Sequence, residues 1–408
     1  MASYRETLEN KFQKEYSKLN AHQKKAVDTI EGPVMVIAGP GTGKTQILAA
    51  RIGKILLETD ATPHNILCLT YTEAGAIAMR KRLVEFIGPD AYKIAIHTFH
   101  SFCNEVIQSN LSFFEKNSLE PLSDLESIQL FRTLIDTLPK NHPLKRYRGD
   151  EYYEARHLRE LFSIMKREGW TPEFLNTCID EYIQSLHANP DFVCKRATGS
   201  FKKGDIRTDW IEEVAEKYER TRAAVNEFER FIKMMTEKRR YDFDDMINWV
   251  VKAFENNKDL LANYQEQFQY VLVDEYQDTS GSQNKLVQLL IAFWDKPNVF
   301  VVGDDDQSIF RFQGANVENM LDFRGHYAQD IETVVLTHNY RSSQPILDIS
   351  KQLIDRNQER LIKRIEGLSK DLISSGDEVR HLTTLPVINE FHSDRDEMAG
   401  ITFSIQQL

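Results

Sequence analysis

The sequence predicts an α/β protein with a mostly parallel sheet, interrupted by an all-helical insertion and followed by the start of a second α/β domain. Three observations carry this reading. Short apolar runs without clean alternation, the pattern of strands covered on both faces, alternate with longer helical stretches. The strand signal disappears between residues 104 and 240 and resumes at 270. Near the end, Ser375 and Gly376 break a helical region and a new pattern begins at VRHLTT.

The predicted strands are Pro33–Ala38, Ile66–Thr70, Ile94–His97, Tyr270–Val273, Val299–Val302 and Thr333–Leu336. Helical periodicity fills intervals such as Gln46–Glu58 and Ala74–Phe86. Inside the interruption, Leu125–Leu138, Tyr153–Glu168 and the polar run Asp209–Lys238 read as helices of an inserted subdomain, because loop tips tolerate insertion. Two basic patches there, Lys145–Arg148 and Lys195–Lys203, read either as solvated bundle surface or as nucleic-acid contacts. The roughly 30 residues after Gly376 are too few for a core of their own, as expected of a truncated second domain.

The 408 residues accommodate two or three domains, and 41% hydrophobic with 28% charged residues excludes a disordered chain. PVMVIA and YVLV are too short to cross a bilayer, and the charged first residues lack a secretory core. The expectation is a cytoplasmic protein of a bacterial or archaeal cell, associated with the nucleoid and not with a membrane. The cysteines at 68, 103, 178 and 194 have no metal or disulfide spacing, and Cys68 reads as a small buried hydrophobe. A formal charge of −11 argues mildly against a protein that coats nucleic acid, but leaves room for a locally basic channel.

The strongest local signal is VMVIAGPGTGKTQILAARI, an apolar strand running through a glycine-rich turn into a helix. Backbone N–H groups of Gly41, Gly43 and Lys44 are placed to meet phosphate oxygens. Lys44 brings positive charge to the β and γ phosphates, and Thr45 offers its hydroxyl to magnesium. Ala38 stands where the general phosphate-loop pattern has its first glycine. In FQYVLVDEYQDTS, Asp274 at a strand end is a candidate magnesium ligand and Glu275 a candidate to activate the attacking water. NVFVVGDDDQSIFRFQGA sets Asp304, Asp305 and Asp306 side by side, an arrangement that requires turns or a nearby cation to absorb the repulsion. Gln307 is a candidate donor to a γ-phosphate. Phe310 and Phe312 read either as core or as rings presented to nucleobases. Arg341, in VVLTHNYRSSQPIL, reads either as a γ-phosphate clamp or as a surface charge.

Taken in order, these segments resemble the superfamily 1 DNA helicases of the UvrD/Rep/PcrA type, over residues 16 to 408. LNAHQKKAV resembles the family's adenine-recognition motif, which implies that Gln23 reads the base edge. AGPGTGKT matches the family's own first motif, beginning with Ala, and implies a nucleotide cradle of Gly39, Gly41, Thr42, Gly43, Lys44, Thr45 and Gln46. LTYTEAGAIAMRKRL and IHTFHSF resemble the single-strand DNA motifs and imply contacts from Thr70, Tyr71, Thr98, His100 and Ser101. YDFDDMI matches the element ahead of DEYQDTS. GDDDQSIFRFQGA matches the coupling motif, with Gln307 as γ-phosphate sensor, and HNYRSS implies that Arg341 contacts the γ-phosphate.

The resemblance further implies a RecA-like P-loop motor domain at 1–103 and 241–375, an inserted helical subdomain at 104–240, and the beginning of a second RecA-like domain at 376–408. It implies ATP and Mg²⁺ as cofactors, single-stranded DNA or a single/double-strand junction as partner, DNA repair or replication proteins nearby, and 3′-to-5′ translocation. Three positions depart from the family: Phe312 where Trp is common, Gln313 where Arg is common, and Gln46 where Arg is common. The later motifs of the second motor domain are not in these residues, so the chain is expected to bind ATP, hydrolyse it poorly and unwind nothing alone. The alternatives are the motor of a helicase–nuclease subunit and an ATP-gated DNA-binding module. A signalling GTPase fits poorly, because no guanine-reading N-K-x-D motif is present and Gln23 suits adenine.

Overall fold

Six short strands, all parallel, form the centre of the computed structural model, which describes residues 2–114, 119–145, 149–197, 201–307, 318–358 and 360–407. They are β1 (Val34–Ala38), β2 (Ile66–Thr70), β3 (Ala95–Thr98), β4 (Tyr270–Val273), β5 (Val299–Gly303) and β6 (Glu332–Leu336). Their spatial order is β3-β2-β4-β5-β1-β6. Each predicted strand is present within a residue of its expected ends. In β1, β2, β4 and β5 every residue is buried, which is why their sequences lack alternation.

Alternate residues feed two separate cores. Met35, Ile37, Leu69, Val273 and Val301 pack with the helices Phe99–Ser109, Phe243–Asn256 and Gly281–Ile291. Val34, Val36, Cys68, Leu272 and Val302 pack on the other face with the helices Ala21–Asp28, Lys44–Glu58 and Glu73–Ile87. Cys68 is buried and free, as expected.

The insertion has its own core. Phe131, Phe162 and Phe231 pack together with Leu134, Met165 and Val225, and the Phe131 and Phe231 rings stack at 4.5 Å. A two-residue parallel pair, Glu120–Pro121 with Arg240–Tyr241, closes its base. Its helix Ala155–Glu168 is docked onto the sheet-covering helices through polar contacts. Buried Lys166 donates to Asp242 at 2.7 Å and to Asp245 at 3.0 Å, and Gly281 N donates to Glu168 at 3.1 Å.

Beyond β6 a second α/β unit begins. His338–Asn339 pairs in parallel with Ile373–Ser374, the helix Gln344–Ile354 packs against that pair, and the helix Asp394–Gln406 follows later in the chain. The last of these helices has no buried residue. Among the described residues, no helix is long and apolar enough to cross a membrane.

Candidate nucleotide site at the strand tips

In a parallel sheet every strand ends on the same rim, and the in-register pairs Ile37–Gly303, Leu69–Val273, Ala38–Leu336 and Thr70–Thr98 bring the motif-bearing loops there together. The half formed by β4, β5, β1 and β6 carries the phosphate-binding candidates. The β3–β2 edge carries the DNA candidates.

After β1 the chain turns through two glycines of positive φ, Gly41 at 67° and Gly43 at 90°. A Cβ on Gly41 would stand 2.6 Å from the Arg341 Cβ, and one on Gly43 would stand 2.7 Å from the Gln23 amide nitrogen. Both positions therefore require glycine for conformation and for space. Gly43 caps the helix Lys44–Glu58 without a side chain, leaving its first N–H groups free for an anion. Thr42 turns its hydroxyl inward to Gly39 O at 2.7 Å, while Thr45 and Gln46 lie half-buried on the first turn.

Neighbouring elements brace this loop. Gln23 is buried, donating from Nε2 to Thr42 O at 2.9 Å and accepting from Asn20 N at 3.0 Å, so both ends of its amide are engaged. Asn339 donates to Pro40 O and accepts from the backbone N–H groups of Arg341 and Ser342 at 2.9 and 2.7 Å. Tyr340 N donates to Gly41 O at 2.9 Å. Arg341 is thereby held beside the loop with its side chain exposed.

From β4, Asp274 and Glu275 face the same loop. Lys44 donates to Glu275, and Glu275 adopts a left-handed backbone of φ 49°, which is unusual for a side chain of its size. Asp274 is buried; its carboxylate accepts from Glu275 N at 3.0 Å and its own N–H donates to Leu69 O at 2.9 Å. Burial first, and the Glu275 charge second, push the Asp274 carboxyl up to about 6, against the pull of Lys44. Asp278 is pushed up to about 6 by the same two causes. A rim with this excess of carboxylate over cation fits a hard divalent ion in its donor chemistry.

The cation expected near Asp304, Asp305 and Asp306 is Lys370. Its ammonium donates to Asp304, to Asp305 at 2.7 Å and reaches Asp306 at 2.9 Å, and it is 1% exposed. Burial disfavours its charge, yet the three aspartates hold its pKa above the ordinary lysine value. Gln307 donates to Asp304.

On the β3–β2 edge, Tyr71 is exposed, whereas Thr70 and Thr98 are buried. The Thr98 hydroxyl accepts from Ser101 N at 3.1 Å, capping the next helix, and donates to Glu73 at 3.0 Å. Ser101 Oγ lies 3.5 Å from His97 Nδ1. His100 Nε2 is buried without a hydrogen-bond partner among the described residues, and burial lowers its pKa. It lines a cavity of about 280 Å³ shared with Arg159, Ser163 and Phe243, and meets the exposed Phe243 ring edge-on at 6.1 Å. Phe310, Phe312 and Gln313 lie outside the described residues.

Sequence reasoning passed over Asn339 and Gln277 although both stand inside quoted motifs. Phe243 sits in YDFDDMI without having been singled out. Arg360 and Lys370 carry no local signal.

The comparisons agree with this geometry. A family described as UvrD/REP helicase N-terminal domain matches residues 19–328. The ATP-dependent DNA helicase PcrA of Staphylococcus epidermidis is 30% identical over 394 residues, covering 95% of this chain and 45% of the relative. The same helicase of Staphylococcus aureus is 31% identical over 347 residues, covering 84% of this chain and 40% of the relative. The chain thus spans less than half the length of these relatives. Fold and matches together point to a P-loop NTPase of the helicase type, and the chain belongs to the UvrD/REP helicase family, whose N-terminal domain it carries.

Proposed function

We propose that this chain is the ATP-binding part of a motor that moves 3′-to-5′ along single-stranded DNA and opens single/double-strand junctions. The observation that supports it best is the convergence of an uncapped helix start, Lys44, Asp274, Glu275 and the loop holding Arg341 on one rim of the sheet. In this reading the Gly39–Thr45 turn cradles the phosphates, with Gln46 beside it and Gln23 near the base. Lys44 and Arg341 neutralise charge on the γ-phosphate, Gln307 senses it, and Glu275 orients the attacking water. Thr45 and Asp274 hold Mg²⁺, which when bound supplies further charge neutralisation.

Thr70, Tyr71, Thr98, His100 and Ser101 belong to the DNA track, joined by Phe243 as an exposed ring for stacking. The Thr98 hydroxyl is already engaged in capping, so its part is to shape the track rather than to reach DNA directly. The division into motor (1–103 and 241–375), helical insertion (104–240) and second motor domain (from 376) suits this function, with the strand pair His338–Asn339 and Ile373–Ser374, outside the main sheet, as the hinge region where the second unit opens. Residues of the insertion's first stretch, as far as Phe114, are buried in the sheet's own core. DNA repair or replication proteins are the partners this activity suits.

The test is the ATPase rate with and without single-stranded DNA, on this chain and on one extended through a second motor domain. Stimulation by DNA in the extended chain, abolished by Lys44→Ala, is expected. Turnover unaffected by Lys44→Ala would refute the site. Nucleotide binding without any DNA-stimulated turnover in the extended chain would favour an ATP-gated binding module.

A further inference from the structure

The segment from Arg360 to Ser374 touches the nucleotide rim in three places. Leu372 packs against Gly39, where an added Cβ would stand 2.9 Å from it. Ile373–Ser374 pairs with His338–Asn339, the strand whose Asn339 braces Pro40. Arg360 forks onto Asp306 at 2.7 and 2.9 Å, Leu361 N donates to Asp305 at 2.7 Å, and Lys370 binds all three aspartates. The two oxygens of Asp304 are divided between Lys370 and the Gln307 amide. Asp304 N is held by Gln277, which also donates to Glu275 at 3.1 Å. A continuous polar chain therefore runs from Glu275 through Gln277 and Asp304 to Lys370.

We propose that Lys370 is a positioning residue that orients Gln307 through Asp304, so that the Arg360–Ser374 segment reports and controls occupancy of the γ-phosphate position. This rests on the nucleotide-site reading above. A buried ammonium shared by three carboxylates has essentially one geometry, so moving the segment pulls directly on the β5 tip. Without Lys370, the Asp304 oxygen it binds keeps only the long contact from Asp306 N at 3.2 Å, and the acceptor of Gln307 is held less firmly.

The test compares binding of AMP-PNP·Mg and ADP·Mg to this chain. Lys370→Met is combined with Asp305→Asn, which removes one of the buried charges left behind. This double variant, and Gln307→Ala separately, are each expected to weaken AMP-PNP about tenfold while ADP changes less than about twofold. Adding Gln307→Ala to the double variant should weaken AMP-PNP no further, since residues acting through one another are non-additive. Unchanged AMP-PNP affinity in the Lys370 variant, equal losses for both nucleotides, or additive losses would overturn the proposal. Lys44→Ala reports on the site separately: if it leaves ADP binding intact, the nucleotide-site reading fails, not the role of Lys370.

Discussion

The ammonium of Lys44 donates to the carboxylate of Glu275 across the rim, which pairs the candidate phosphate-binding cation with the candidate water-activating base. Phosphate oxygens entering the loop must take Lys44 from Glu275. Glu275→Gln weakens that competition. It is expected to tighten nucleotide binding by about threefold, the scale of a partly exposed ion pair. Turnover should fall by on the order of a hundredfold or more. Fluorescent-nucleotide titration and phosphate release read the two effects, and weaker binding in this variant would contradict the competition.

Protonation of Asp274 gives a pH signature. Its folded carboxyl titrates at about 6, above the unfolded value of about 4, so the native state holds the extra proton between them. The stability this group contributes is full below about 4 and is lost as pH rises through 6. Wild type should therefore gain melting temperature relative to Asp274→Asn as pH falls from 8 to 5.5. Mg²⁺-dependent nucleotide affinity should fall over the same interval, as protons compete for the carboxylate. Parallel melting curves for the two proteins at all pH values would sink this assignment.

Gly43→Ala tests the loop geometry. The variant forces a Cβ into a backbone of φ 90° and against the Gln23 amide, with an expected cost of about 2 kcal/mol in stability and loss of nucleotide binding. Chemical denaturation and nucleotide titration check it together.

Arg51 is a stability site outside the chemistry. Its guanidinium is buried, donates to the Ala26, Thr29 and Ile30 carbonyls at the end of the helix bearing Gln23, and lies 4.6 Å from the Phe300 ring. Burial lowers its pKa to about 9. Arg51→Met leaves those carbonyls unpaired and should destabilise the chain by about 3 kcal/mol, measured by urea denaturation.

Phe243→Ala should weaken single-stranded DNA binding by about 1–3 kcal/mol if its exposed ring stacks on a base. Fluorescence anisotropy with a labelled oligonucleotide measures it, and an unchanged affinity would remove Phe243 from the track.

The sheet was legible because its strands have little freedom to be anything else. Val34–Ala38 and Tyr270–Val273 are wholly apolar, short and bounded by turn residues. The phosphate loop was legible because its glycines and lysine are adjacent in sequence. Lys370 and Asp304 are 66 residues apart, and Arg360 and Asp306 are 54 apart, so no periodic pattern announces either pairing. Arg51 was equally hidden, since an arginine on an amphipathic helix reads as solvent-facing until the neighbouring helix end is known to cover it. The repulsion among Asp304, Asp305 and Asp306 called for turns or a cation, and only the fold shows that a cation is there and that it is Lys370.

Lys166, seated between Asp242 and Asp245, makes the helical subdomain an outrigger bolted to the hull rather than an oar. Pulling it away would break both contacts of one almost fully buried ammonium, so the two parts are expected to travel together.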